Sequence, residues 1–264
     1  MSDIISLNIK QFALIYLLLL VVLIIMKRCK IDRTKLLIVA SVRMTLQLVI
    51  AGLLLTYIFE NPHPLFTVFY LVLMTGFAVF MVLQRNKTIN KRFKLITALS
   101  LSASGLSIVI FFIIAVVGVS IFNPQYTIPI SGMIMGNAMT GVSLGLKAFS
   151  ENIASEKNRI DALTNMGASP RRILTPFVNR AIETALLPTL NSMLGMGIIS
   201  LPGMMTGQIL SGTMPMTAIL YQISIIIAIS CVTCLAVFLC LHLGASTLYN
   251  KRNQFMDSTV DKRL

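Results

Sequence analysis

Charge is scarce in this chain. Only 12% of its 264 residues are Asp, Glu, Lys or Arg, about half the 25% of a soluble globular domain. That shortfall excludes a cytosolic enzyme. The 56% hydrophobic content and mean hydropathy of +0.86 exclude a disordered chain, which needs the opposite balance. Cysteine is too sparse for a secreted disulfide scaffold: Cys231, Cys234 and Cys240 share one apolar stretch, far from Cys29. All four read as small buried or lipid-facing side chains, and Cys231-x-x-Cys234 lacks the second pair of a zinc site. His63 and His242 stand isolated. No Gly-Lys dipeptide occurs, so the phosphate-cradling Gly-x-x-x-x-Gly-Lys-Ser/Thr loop is absent. Any use of ATP falls to another polypeptide.

What the chain does have is long apolar runs. A membrane-crossing helix needs roughly 20 consecutive, mostly apolar residues, and seven segments qualify: about 7–26, 36–59, 65–83, 95–122, 128–146, 181–200 and 216–244. The first is followed by Lys27, Arg28 and Lys30 and shows no small-residue cleavage site, so it reads as a span and not a signal peptide. The fifth and sixth are rich in Gly, Pro, Asn and Thr. The expectation is an all-α polytopic membrane protein, one transmembrane domain over 1–264.

Basic residues set its orientation. Of 22 Lys and Arg, 20 fall within 27–35, 85–94, 147–180 and 251–263, leaving only Lys10 and Arg43 elsewhere. The alternate connections 60–64, 123–127 and 201–215 hold none. Cytoplasmic loops carry the Lys/Arg excess, so the N-terminus is expected outside and the C-terminus inside. The formal charge of +13 is thus an orientation signal facing anionic lipid, and nucleic acid is not an expected partner.

One cytoplasmic segment, 147–180, is longer and patterned. Ile153, Ile160, Leu163 and Met166 recur at helical spacing among charged residues. Gly167 suits a left-handed helix stop, and Ser169 and Pro170 suit the cap and first residue of a second helix beginning Arg171-Arg172. Two readings are open: an interfacial helix pair lying on lipid, or a docking element for a soluble partner through Ile160, Asp161, Leu163, Gly167, Ser169, Arg171 and Arg172. Asp161-Ala-Leu-x-x-x-Gly167 resembles the acid-Ala-Ala-x-x-x-Gly loop of ABC importer permeases, although Phe177-Val-Asn-Arg180 replaces the Ile-x-Leu-Pro that follows there.

A longer resemblance lies in the C-terminal half. Ile128-Pro-Ile-Ser-Gly-Met-Ile-Met-Gly-Asn-Ala-Met139, Ser200-Leu-Pro-Gly-Met-Met-Thr-Gly207 and the following Gln208-Ile-Leu-Ser-Gly212 look like the signature of the FetB-type permeases. Leu187-Pro-Thr-Leu-Asn-Ser192, Tyr221-Gln222, Arg43 and Gln47 extend the match over about 36–245. That family comprises membrane subunits of ABC transporters named for iron export, and is related to plant permeases of aluminium tolerance. Some members carry Asp and Lys where this chain has Asn191 and Leu194, so no carboxylate is expected to bind metal there. The resemblance implies a homodimer with two separate ATPase subunits that supply ATP, and no intrinsic cofactor. It leaves open another metal or small organic cargo, and a stand-alone channel or carrier is the competing class.

Inside the predicted bilayer, Arg43 and Glu183 enter from the cytoplasmic side and are either paired, because a lone intramembrane charge is costly, or snorkel separately. Asn137 and Asn191 need partners in lipid. Pro188, then Pro202 and Gly203, imply broken or re-entrant backbone, which is tolerated only around a cavity or inside protein. The expected path is therefore Asn137, Asn191, Pro202, Gly203, Met204, Met205 and Gln208. The 16 methionines either pack adaptably or offer thioethers to a soft ion such as copper(I). The metal ligands themselves are unknown from sequence.

Overall fold

The computed structural model describes residues 9–87 and 89–249. The basic cluster Lys251–Arg263 and the first two residues of the expected span 7–26 lie outside the described residues. Among those described there is no strand, only helix: α1 (Ile9–Arg28), α2 (Thr34–Glu60), α3 (Pro64–Arg85), α4 (Lys91–Phe111), α5 (Pro124–Ser155), α6 (Lys157–Asn165), α7 (Pro170–Gly195), α8 (Gly203–Leu210) and α9 (Pro215–Ala245). A π-helical stretch, Phe112–Val117, prolongs α4.

The helix starts follow from the sequence. Pro64, Pro124, Pro170 and Pro215 each occupy the first turn, where a missing N–H costs nothing and the fixed φ is already helical. His63, Asn90 and Asn123 cap α3, α4 and α5 by accepting from Leu65, Phe93 and Gln125 N–H. Ser169 stands at the cap position of α7 without a side-chain cap hydrogen bond.

Five helices are long and apolar enough to cross a membrane: α1, α2, α3, α4 with its π extension, and α9. The chain is a multi-pass membrane protein. α5 and α7, at 32 and 26 residues, have the length, but Gly, Ser, Thr and Asn lower their hydropathy.

Three expected boundaries change. The segment 147–180 was expected to open with its own amphipathic helix, but α5 continues to Ser155 and bends at Glu156, so Ile153 and Ile160 sit on different helices. α7 runs unbroken through Pro176 and Pro188, contrary to the interruption expected at 188. Membrane helices tolerate an internal proline when neighbouring groups re-satisfy the freed backbone. The expected span 181–200 stops early, at Gly195. There Gly197 takes φ +84° and donates its N–H to Ser200 O at 2.9 Å, closing a turn over 196–202.

α5 is the hub, packed by α3, α4, α7 and α9. Lipid removes the apolar driving force between helices, so close van der Waals approach must hold them. Gly141 meets Thr233, and a Cβ at Gly145 would stand 2.8 Å from Val237 Cγ1; these glycines let α5 lie against α9. Phe93, Leu101, Ile134, Leu146 and Leu241 fill the core between. Polar ties close both ends: Thr67 Oγ1 donates to Phe122 O at 3.1 Å, and Asn90 Nδ2 to Thr247 O at 3.1 Å. The α1–α2 hairpin stays outside this core, with Ile58 its only buried residue among those described.

Candidate permease site

At the end of the bundle marked by the basic segment 147–180, α6 is seated on α7. Ile160 is completely enclosed, and Leu163 is half-buried beside Ile173 and Phe177. α6 ends in a Schellman turn: Gly167, at φ +82°, donates to Thr164 O at 3.0 Å, and Ala168 donates to Leu163 O at 3.0 Å. Only glycine takes that left-handed conformation without strain, so the turn requires glycine at 167.

The expected docking residues therefore divide. Asp161, Gly167, Ser169, Arg171 and Arg172 are exposed, whereas Ile160 is sealed beneath its own helix and anchors the element. Met166, read from sequence as part of the apolar stripe, is 82% exposed at the tip; it falls past the last turn of α6, where helical periodicity no longer governs direction.

An ion-pair knot, only half of it legible from sequence spacing, holds this elbow. Glu156, at the α5–α6 bend, accepts from Arg159 Nη1 at 2.7 Å and from Arg180 Nη1 at 2.9 Å. The hydrogen bond from Arg159, joined by that from Arg180, holds the Glu156 carboxyl below its ordinary pKa. The Glu156/Arg159 spacing is visible in the sequence; Arg180, 24 residues on, requires the fold. Tyr249, just past α9, also meets this elbow. Burial pushes its phenol up, while its hydroxyl meets Thr164 and Asp161 adds charge nearby.

Within the bundle, α5 and α7 run antiparallel, with a Cβ at Gly145 lying 3.5 Å from Ala185 Cβ and 3.7 Å from Ala181 O. Eight residues farther from the α5–α6 bend on each helix, that register sets Asn137 level with Asn191. Both amides are exposed, as are Gly136, Thr140, Glu183 and Thr184. Asn137 Nδ2 donates to Met133 O at 2.8 Å and Thr140 Oγ1 to Gly136 O at 3.0 Å. The single chain thus presents a polar, amide-bearing face on two adjacent helices, outward and uncovered.

Arg43 and Glu183 are not brought together. The Arg43 guanidinium lies 5.5 Å over the Phe77 ring, and among the described residues no ion pair joins it to Glu183. The packing explains why. Phe77 lies one turn inward of Met74, which touches Ser131 and Gly132 of α5, whereas Glu183 is level with Gly145. The two charges are about two to three turns of α5 apart.

The remaining expected path residues lie beyond α7. Pro202 and Gly203 open α8; Met205 is buried, and Met204 packs against the core. Gln208 Oε1 is buried with no hydrogen-bond partner, a cost in any apolar setting. The sulfur of Met193 accepts from Ser230 Oγ at 3.4 Å, tying α7 to α9, and that of Met196, just past the end of α7, accepts from Gln222 Nε2 at 3.8 Å. No cluster of three or more His, Cys, Asp or Glu occurs among the described residues.

Residues 9–249 match an uncharacterised protein family, UPF0014. The chain is 31% identical over 239 residues to the UPF0014 membrane protein YjkA of Bacillus subtilis, covering 89% of this chain and 94% of that one. It is 30% identical over 254 residues to the "Probable iron export permease protein FetB" of Escherichia coli, at 96% and 97% coverage. To Protein ALUMINUM SENSITIVE 3 of Arabidopsis thaliana it is 36% identical over 181 residues, 69% of this chain and 65% of that one. No solved structure matches.

Proposed function

The chain belongs to the UPF0014 family of membrane proteins, and on that premise we propose that it is the membrane subunit of an ABC transporter that exports a metal ion, with iron the first cargo to test. α5 and α7 join the five more apolar helices to make seven spans, with the N-terminus outside and the C-terminus inside. Two copies form the permease, and a separate ATPase supplies the energy.

The observation that carries this reading is the elbow. α6 is a short polar helix, sealed to α7 by Ile160 and bound by Glu156 to Arg180, and it lies between the two helices that bear the polar face. A push on Asp161, Met166 and Arg171 from the cytoplasm is transmitted as rigid motion to α5 and α7, the kind of bistable coupling that packed elements support. Likeness to a named iron export permease along 97% of its length supports the cargo class.

Cargo contact then rests on Asn137, Asn191 and Gln208 with backbone oxygens around 196–203. These are neutral oxygen donors, suited to hard cations and to hydroxyl-bearing solutes. That neutrality favours one second reading, the same permease with a small organic solute as cargo. The test is expression of the chain with its ATPase in iron-loaded cells. Copurification of the ATPase and a fall in cell iron are expected. Unchanged iron alongside copurification moves the cargo to the second reading, and failure of any ATPase to copurify overturns both.

A further inference from the structure

A groove opens between the start of α7 and the end of α9. Its volume is about 630 Å³, within the roughly 300–1,000 Å³ of ligand sites. The two helices run antiparallel: Met193 meets Ser230, and Ala181, Ala185 and Val237 all stand around Gly145. Arg171 and Ser246 therefore lie toward the end of the bundle. His242 stands one turn inside Ser246, Phe238 one turn further, and Val178 two turns inside Arg171. The rings of His242 and Phe238 stack with centroids 5.1 Å apart.

The lining changes character along that line. Leu174, Val178 and Phe238 are apolar, whereas Arg171, His242 and Ser246 can each donate a hydrogen bond. No Asp or Glu lines the groove, and Arg171 enters no ion pair among the described residues. α9 is 31 residues long, about 46 Å, and a hydrocarbon core is roughly 30 Å thick. Centred on that core, the helix extends about 8 Å, or about five residues, beyond it at each end. His242 and Ser246 then stand at headgroup level and Phe238 among the acyl chains. Farther along, Ile223, Ile227 and Cys234 continue the same exposed face of α9, an apolar track for a lipid chain.

We propose that this groove is a binding site for one anionic phospholipid. Its phosphate accepts from the Arg171 guanidinium and the His242 imidazole N–H, and an acyl chain lies against Leu174, Val178 and Phe238. Basic pockets between helices at a membrane face take anionic headgroups in this way, and a guanidinium–phosphate bond is charge-assisted. A zwitterionic lipid brings its own cation to a groove with no carboxylate to receive it.

The test is native mass spectrometry of the full chain in detergent, titrated with dioleoylphosphatidylglycerol or dioleoylphosphatidylcholine. No ATPase is present, so any docking through Arg171 does not enter. One phosphatidylglycerol per chain should be retained at about tenfold lower concentration than phosphatidylcholine, the scale of one hydrogen bond to a charged group. R171Q/H242F should bind the two lipids equally. T175W, at an exposed position in the groove, should fill it and release phosphatidylglycerol with both donors still present. R85Q/R92Q removes two exposed charges outside the groove and should keep the preference. A preference unchanged in R171Q/H242F or T175W, or lost equally in R85Q/R92Q, would trace it to diffuse surface charge and overturn the site. Displacement of the lipid by equimolar inorganic phosphate would overturn the lipid assignment and leave a site for a free anion.

Discussion

Glu156 sits where three elements meet: it ends α5, starts α6 and grips Arg180 of α7. Its carboxyl pKa is lowered by Arg159 first and Arg180 with it. A depressed carboxylate stabilises the fold above its unfolded value, about 4.3, and that contribution is lost as pH falls through the lower folded value. Amide exchange in α6, corrected for intrinsic rate, should therefore be flat from pH 8 to about 5 and rise only below about pH 4. E156Q should raise it from pH 8 to about 5 and converge with the wild type in acid, where Glu156 is itself protonated. A rise centred near neutrality would mean another group controls the elbow. Gly167 gives a second residue-scale prediction. Valine at φ +82° carries roughly 1–2 kcal/mol of left-handed strain, with a branched Cβ added, in a turn on which the expected partner bears. G167V should insert normally and retain α7, yet lose ATP-driven transport. Transport at the wild-type rate would remove the docking role from this turn.

At the scale of elements, the pair α5 and α7 carries the proposed path. Asn137 and Asn191 are exposed on the single chain, so replacing them with leucine leaves the core intact. Losing one cargo-facing hydrogen bond of about 1–1.5 kcal/mol should slow N137L or N191L about tenfold, with ATPase copurification unchanged. Both variants transporting normally would place the path elsewhere. Met204 and Met205 pack inward, and a Met-to-Leu swap conserves volume. M204L/M205L should thus keep iron flux, and its loss would indicate thioether ligation of a softer ion.

The same pair shows what the sequence could and could not tell. Gly167 and Pro170 act through local backbone geometry, so the α6 stop and the α7 start were legible. Pro188 obeys that local rule only when nothing outside the helix compensates, and α7 passes straight through it. Asn137 and Asn191 were expected to face inward, and on the single chain they face out. Ile160 read as a contact residue because periodicity marks an apolar face without saying whether α7 or a partner covers it. Arg180 joined Glu156 through the fold alone.

At the scale of the whole molecule, orientation comes first. Pro64 and Asn123 lie at the starts of α3 and α5, and Asn158 lies on α6. Cysteine at 64 or 123 should react with an impermeant maleimide on intact cells, and cysteine at 158 only after permeabilisation. Labelling at 158 in intact cells would invert the topology and detach the elbow from any cytoplasmic ATPase.

The most direct measurement is iron flux in proteoliposomes containing the chain and its ATPase. With the cytoplasmic face outward and ATP outside, iron should accumulate within the vesicles. Flux should vanish without ATP, without the ATPase, or with G167V, while the vesicles still hold inserted protein. Iron movement by the chain alone, down its gradient and indifferent to ATP, would contradict the proposed coupling and identify a channel or carrier instead.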